Sequence, residues 1–250
     1  MQSGTQPAYN LERSPSTMNE NNSPDLTLIL DEMGQREKKQ KVERYRRLNQ
    51  LVKPGQILFV GSSLMEQFPI QELLMDWDLP YTIYNRGIGG FTTQELAQVL
   101  DVCVYDLNPS HIFINIGTND MNTPDYTLSC LVDRYEKILR SIQEHLPQAK
   151  LTLLAYYPLC EPVMAQDPYM KNILSYRNNE TIRLANQAVE ALAQRLGASF
   201  LDCNGGITDE QGNLKAEYTI EGMHIYGNGY AQILKSLLPS LEEAAKSIHS

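Results

Sequence analysis

Beyond residue 50 the apolar positions fall into short unbroken runs, separated by longer stretches in which they recur every three or four residues. The runs are Ile57 to Val60, Tyr81 to Tyr84, His111 to Ile116 and Leu151 to Tyr157, with Ser199 to Leu201 as a weaker fifth. Between them, Leu128, Leu131, Val132, Tyr135, Ile138, Leu139 and Ile142 keep a three-and-four spacing, as do Ile182, Ala185, Val189, Leu192 and Leu196. Tyr230, Ile233, Leu234, Leu237, Leu238 and Leu241 form a third such set. Continuous runs predict strands buried on both faces, and the other spacing predicts helices with one apolar stripe. Thr92 and Glu95 predict a capping box at the start of the helix after the second strand. Alternating strands and helices predict an α/β fold, a flavodoxin-like three-layer α/β/α sandwich with a five-stranded parallel sheet.

The N-terminal part reads differently. Residues 1–25 are rich in Ser, Asn, Pro and Gln and hold too little apolar surface to offset their ordering entropy, so a flexible polar tail is expected. Residues 26–52 predict an amphipathic helix packed on the domain, with Gly34 as a break and Lys53-Pro54-Gly55 as its stop. Its stripe is Val42, Tyr45, Leu48 and Leu51 or Val52. Arg36 to Arg47 holds seven basic and two acidic residues, which reads as a solvated face in preference to a contact with an anionic surface. The domain proper is expected over 53–250.

Composition narrows the function. Apolar residues make up 42 % of the 250, enough for a full core, and the net charge of −9 argues against a nucleic-acid partner. Cys103, Cys130, Cys160 and Cys203 are widely separated, with no metal or redox spacing, and fit reduced thiols. The chain shows no secretory leader pattern and no apolar run of membrane-spanning length, so a cytoplasmic protein without stable membrane insertion is expected.

In a sheet of this kind ligands bind beyond the C-terminal strand ends, at the switch between strands one and three. After strand one stands Gly61-Ser62-Ser63-Leu64-Met65-Glu66. A serine on a tight strand-to-helix turn is exposed as a nucleophile, although Ser63 and Glu66 also read as a capping box. After strand two, Asn85-Arg86-Gly87-Ile88-Gly89-Gly90 is either a turn or a loop presenting an N–H to an anion. After strand three, Asn119 of Gly117-Thr118-Asn119-Asp120 is an amide donor or a turn residue. After strand five, Glu221-Gly222-Met223-His224 offers a base with a carboxylate three residues before it. Each motif alone has an ordinary structural explanation. Together they supply a nucleophile, oxyanion donors, a base and an acid at the strand ends that the fold selects.

The four stretches resemble the sequence blocks of the SGNH hydrolases, also called GDSL esterases and lipases. From about Lys53 to Leu238 the chain is similar to bacterial esterases of the platelet-activating-factor acetylhydrolase-like and lysophospholipase-like kind. The resemblance implies the SGNH hydrolase fold and a serine esterase. Ser63 would be the nucleophile, His224 the base and Glu221 the acid. The oxyanion hole would comprise Ser63 N–H, Gly90 N–H and the Asn119 amide. It implies no metal and no cofactor, a small-molecule ester substrate, and a homodimer as one oligomeric state open to the chain.

Two residues depart from the family pattern. Ser62 stands where the first block has Asp, and Glu221 where the last block has Asp; Ser62 can keep only part of the lost hydrogen bonding. Asp202 at the end of strand five is the alternative acid. With no long apolar lid in the sequence, small or polar acyl esters are favoured among short esters, acetylated sugars, lysophospholipids and thioesters. Tyr156, Tyr157, Tyr169 and Tyr176 are candidates for the pocket or for ordinary packing. Two competing readings are a catalytically weakened domain that binds an acylated ligand or protein partner and, more distantly, a flavodoxin-like nucleotide binder.

Overall fold

The structure, a computed structural model, describes residues 26–246 and residue 248. The tail expected over 1–25 lies outside the described residues. The chain divides into two compact units, residues 1–36 and 37–250. Of the first, the described part is the opening of helix α1 (Leu26–Leu48). The break expected at Gly34 does not form, because one glycine costs a helix only about 1 kcal/mol relative to alanine.

The second unit continues from α1 into β1 (Ile57–Gly61), α2 (Ser63–Glu66), α3 (Ile70–Asp76) and β2 (Ile83–Gly87). Then come α4 (Thr93–Ala97), α5 (Leu100–Cys103), β3 (His111–Asn115), α6 (Leu128–His145) and β4 (Lys150–Leu154). The last elements are α7 (Glu161–Met164), α8 (Pro168–Leu174), α9 (Asn179–Leu196), β5 (Ser199–Leu201) and α10 (Gly227–Lys246). All strand pairs are parallel, in the order β2-β1-β3-β4-β5, so the switch point lies between β1 and β3 as expected.

Alternation along the strands divides the core into two layers. Leu58, Val60, Ile112, Ile114 and Leu153 pack with Leu131, Tyr135, Ile138, Ile182 and Val189, which places α6 and α9 on one face. Ile57, Phe59 and Phe113 pack with Leu64, Phe68, Leu74, Tyr230, Ile233 and Leu237, which places α2, α3 and α10 on the other. The helices are delimited by local chemistry. Thr92 and Glu95 form the predicted capping box, Asn178 caps α9 through Thr181 N–H, and Gly197 at φ +68° closes α9. Among the described residues no helix is long and apolar enough to cross a membrane.

Three expectations need correction. The second strand runs over Ile83–Gly87 instead of Tyr81 to Tyr84, because polar Asn85 and Arg86 find partners that let them stay in the strand. Asn85 donates to Met65 O at 2.6 Å and accepts from Gly87 N–H at 2.9 Å. Arg86, 3 % exposed, donates to Asn49 Oδ1 at 2.9 Å and lies over the Tyr45 ring. The fourth strand stops at Leu154 instead of Tyr157. Beyond it, side chains replace the ladder: Asn115 donates to Ala155 O at 3.0 Å and Asn186 accepts from Tyr156 N–H at 2.7 Å. Finally, Leu48 of the expected stripe is exposed, and buried Asn49 takes its position by donating to Val102 O at 2.7 Å, while of the alternatives at the stripe's end Val52 packs on the core and Leu51 is exposed.

Candidate active site

The turn after β1 is shaped by crowding. A Cβ on Gly61 would lie 2.0 Å from Asn115 O, so only glycine lets β1 pass β3 so closely here. Ser62 follows, fully buried, and its carbonyl accepts the N–H groups of Met65 and Glu66 at 3.0 and 2.9 Å. Ser63 is therefore the first residue of α2, half-buried at the C-terminal end of the sheet. The capping box expected between Ser63 and Glu66 does not form; the cap position is Ser62, without a side-chain bond. Glu66 is used elsewhere: Oε2 accepts Gly89 N–H at 2.5 Å and Oε1 accepts from Lys41 at 2.5 Å. Ser62 keeps none of the side-chain hydrogen bonding expected of it, since its buried Oγ has no partner among the described residues.

The glycine loop after β2 comes beside this turn. A Cβ on Gly89 would lie 3.9 Å from Ser63 Cβ. Gly90 is exposed, with φ +72°. From Gly87 to Phe91, the N–H groups of Gly87, Ile88, Gly89 and Phe91 all have acceptors, whereas that of Gly90 has none among the described residues. Asn119 joins the loop by donating from Nδ2 to Phe91 O at 2.9 Å, which leaves the second amide hydrogen uncommitted there. Its neighbour Asp120 is buried and accepts from Thr93 N–H and Thr93 Oγ1 at 2.9 and 2.5 Å, pinning this turn to the start of α4.

The loop after β5 carries His224. Thr219 and Ile225 pair in an antiparallel bridge, and Thr219 Oγ1 accepts Gly222 N–H at 2.7 Å. Gly222 sits at φ +102°, and a Cβ there would lie 2.2 Å from Met164 Cγ, so this turn requires glycine on both counts. The turn folds Glu221 back on His224, and the longer glutamate chain fits: Oε1 accepts His224 N–H at 3.1 Å and His224 Nδ1–H at 2.5 Å. The opposite ring nitrogen, Nε2, lies 3.0 Å from Ser63 Oγ. Partial burial pushes the Glu221 carboxyl up. The hydrogen bond and charge of His224 outweigh this and hold it below the usual carboxylate range.

Ser63, His224 and Glu221 are thus brought together, with Gly90 on the adjoining glycine loop and Asn119, from the turn after β3, bonded to that loop through Phe91 O. Asp202 is not joined to them: it is exposed and accepts Asn204 N–H at 2.8 Å, while Glu221 occupies His224 Nδ1. Tyr156 and Tyr157 are core residues, each 1 % exposed, Tyr156 donating to Ile116 O at 2.7 Å. Tyr169 is exposed and Tyr176 half-buried.

Two features have no counterpart in the sequence reading. Lys38 and Lys41 of the basic run are not a solvated face but pair with Glu95 and Glu66. Their spacing with Tyr45, at i, i+3 and i+7, was the available signal. Arg177, between α8 and α9, is 1 % exposed and donates to Met223 Sδ at 3.2 Å. Burial lowers its guanidinium to about 10, partly opposed by Tyr156 and Glu221.

Residues 61–232 match the GDSL-like Lipase/Acylhydrolase family. The platelet-activating factor acetylhydrolase IB subunit alpha2 of Homo sapiens is 27 % identical over 186 residues, covering 74 % of this chain and 75 % of its own length. A protein from Streptococcus pneumonia, its structure solved under the designation platelet activating factor, is 33 % identical. It superposes with a TM-score of 0.77 over 86 % of this chain and 97 % of its own. A GDSL-like lipase from Bacteroides thetaiotaomicron, 22 % identical, shares the fold with a TM-score of 0.67 over 81 % of this chain and 98 % of its own. The chain therefore belongs to the GDSL-like lipase/acylhydrolase family, a family of carboxylic ester hydrolases.

Proposed function

We propose that this protein hydrolyses esters of small acylated substrates through an acyl-serine intermediate, with Ser63 as nucleophile, His224 as general base and Glu221 as the acid that orients it. One observation carries the reading: a continuous line from Ser63 Oγ to His224 Nε2 at 3.0 Å and from His224 Nδ1 to Glu221 Oε1 at 2.5 Å. As Ser63 Oγ attacks the acyl carbonyl, its proton passes to His224 Nε2. The carbonyl oxygen becomes an oxyanion, received by the N–H groups of Ser63 and Gly90 and the Asn119 amide. Collapse expels the alkoxide, which takes the proton from His224. Water then repeats the sequence to release the acid. Glu221, held ionised, stabilises the imidazolium formed in each half.

The name of the human relative, an acetylhydrolase subunit, supports an acetyl or other short acyl ester. A reducing, cytoplasmic setting fits the four free cysteines, three of them buried. The second reading, a weakened domain that binds an acylated ligand or a protein, draws on Ser62, whose buried hydroxyl does not replace the family's carboxylate.

Hydrolysis of p-nitrophenyl acetate and butyrate separates the two. Turnover by the native protein, with kcat lower by roughly 10⁴-fold or more in Ser63→Ala, supports the serine mechanism. Equal rates for the native protein and Ser63→Ala would favour the binding domain.

A further inference from the structure

The two peptides flanking the one that carries Gly90 N–H are held from outside the loop, from helix α1. Lys38, Lys41 and Tyr45 lie on one face of that helix. Tyr45 OH donates to Gly87 O at 2.8 Å. Lys41 Nζ lies 2.5 Å from Glu66 Oε1, and the other oxygen of the same carboxylate accepts Gly89 N–H at 2.5 Å. Lys38 Nζ donates to Gly90 O at 2.9 Å and to Glu95 Oε1 at 2.7 Å. Glu95 is itself fixed, since Oε2 accepts Thr92 N–H at 2.9 Å in the capping box of α4. The peptide before the Gly89–Gly90 bond is thus tied through Glu66 to Lys41, and the peptide after it is tied to Lys38.

Between these clamps stands the one peptide whose orientation aims Gly90 N–H. Gly90 at φ +72° has little intrinsic preference for that conformation over others, because glycine populates both signs of φ about equally. An oxyanion donor is useful only when it is already in place as charge develops. The lysines are well suited to hold it: both are no more than one-third exposed and each contacts a carboxylate.

Resting on the serine-esterase reading above, we infer that Lys38 and Lys41 are positioning residues for the oxyanion hole, acting through Gly90 O and through Glu66 and Gly89, so that the stretch of α1 that bears them is a working part of the site. Neither lysine touches the reacting atoms. Their contribution is to fix the Gly89–Gly90 peptide before substrate arrives, and it is realised in the transition state more than in ground-state binding.

The test uses the full chain, with rates per active site counted by stoichiometric labelling with a fluorophosphonate, so that any unfolded fraction drops out. Lys38→Met is expected to lower kcat on p-nitrophenyl acetate about tenfold with KM within about twofold, and Lys38→Met/Lys41→Met to lower it about a hundredfold, as expected for a misplaced donor. Lys38→Arg, which keeps the charge and a donor, should recover most of the kcat. The second-order rate of fluorophosphonate labelling should fall in step with kcat, because that reaction also builds negative charge on oxygen. Unchanged kcat per labelled site in both methionine variants would overturn the inference, as would a loss confined to KM or equal in Lys38→Arg and Lys38→Met. Ser63→Ala in the same assay separates this failure from failure of the esterase reading: if it retains turnover, the serine mechanism itself is wrong.

Discussion

The two ends of the sheet each carry a histidine bonded to a hydroxyl, and among the described residues only one of the two histidines also has a carboxylate on its other ring nitrogen. His111 opens β3 at the N-terminal end, with Nε2 2.8 Å from Thr152 Oγ1. His224, beyond β5, has Nε2 3.0 Å from Ser63 Oγ. The first pair even borders a cleft, lined by Gln143, Lys150, Ser240 and Glu243 among others. Yet His111 Nδ1 is buried without a partner among the described residues, and its ring stacks on Phe113 at 4.6 Å. Burial, then the charge of Lys150, lowers His111 to about 4 despite Glu243, so it stays neutral at neutral pH. Among the described residues no carboxylate is bonded to it to stabilise an imidazolium, whereas His224 has Glu221 at 2.5 Å. A histidine–hydroxyl distance therefore does not define a catalytic pair. What sets the His224 pair apart, and supports the reading proposed for it, is the carboxylate on its far ring nitrogen.

The sharpest way to break this comparison is to remove each histidine in turn. His224→Gln should lower kcat by roughly 10⁴-fold or more on p-nitrophenyl acetate, as expected when a base and nucleophile act as a unit. His111→Gln should leave kcat within about twofold, since nothing joins it to the site. Comparable losses in both would show that the contrast between the two ends is false. The next effect concerns the acid. Glu221→Gln should cost about 10²- to 10⁴-fold in kcat, because the amide cannot stabilise the imidazolium, while Asp202→Asn should change kcat by less than about threefold. The reverse ranking would restore Asp202 as the acid.

The smallest effect is one of stability, and it belongs to the other end. A histidine whose folded pKa is depressed binds fewer protons folded than unfolded. Its contribution is therefore complete above its ordinary value of 6.5 and declines as pH falls from there to about 4. The shift corresponds to something on the order of 3 kcal/mol across that window. Denaturant unfolding of the native protein and His111→Gln at several pH values should show a difference that narrows on acidification between these limits. A constant difference would mean that His111 is not held neutral by the fold.

The contrast also explains what the sequence made legible. Gly61-Ser62-Ser63, Gly89-Gly90, Asn119 and Glu221-Gly222-Met223-His224 could be placed because each is a local signal and the strand pattern sets where the strands end. The uses of Glu66, Lys38 and Lys41 were not legible, because their partners lie 23 to 57 residues away and a charged residue on a helix reads as solvated by default. Asn85 and Arg86 misled the reading of β2 for the same reason: their burial depends on Met65 and Asn49, which the local pattern does not reveal. The length of Glu221 raised a question of fit that no spacing argument could answer. The answer lies in the positive φ of Gly222, which folds the carboxylate onto both the backbone and the ring of His224.

Site mapping of a fluorophosphonate adduct by peptide mass spectrometry tests whether His224 activates Ser63. A single stoichiometric adduct is expected on Ser63, formed by the native protein and lost in His224→Gln although Ser63 is still present. An adduct on another residue, or labelling of Ser63 that proceeds equally fast without His224, would contradict it.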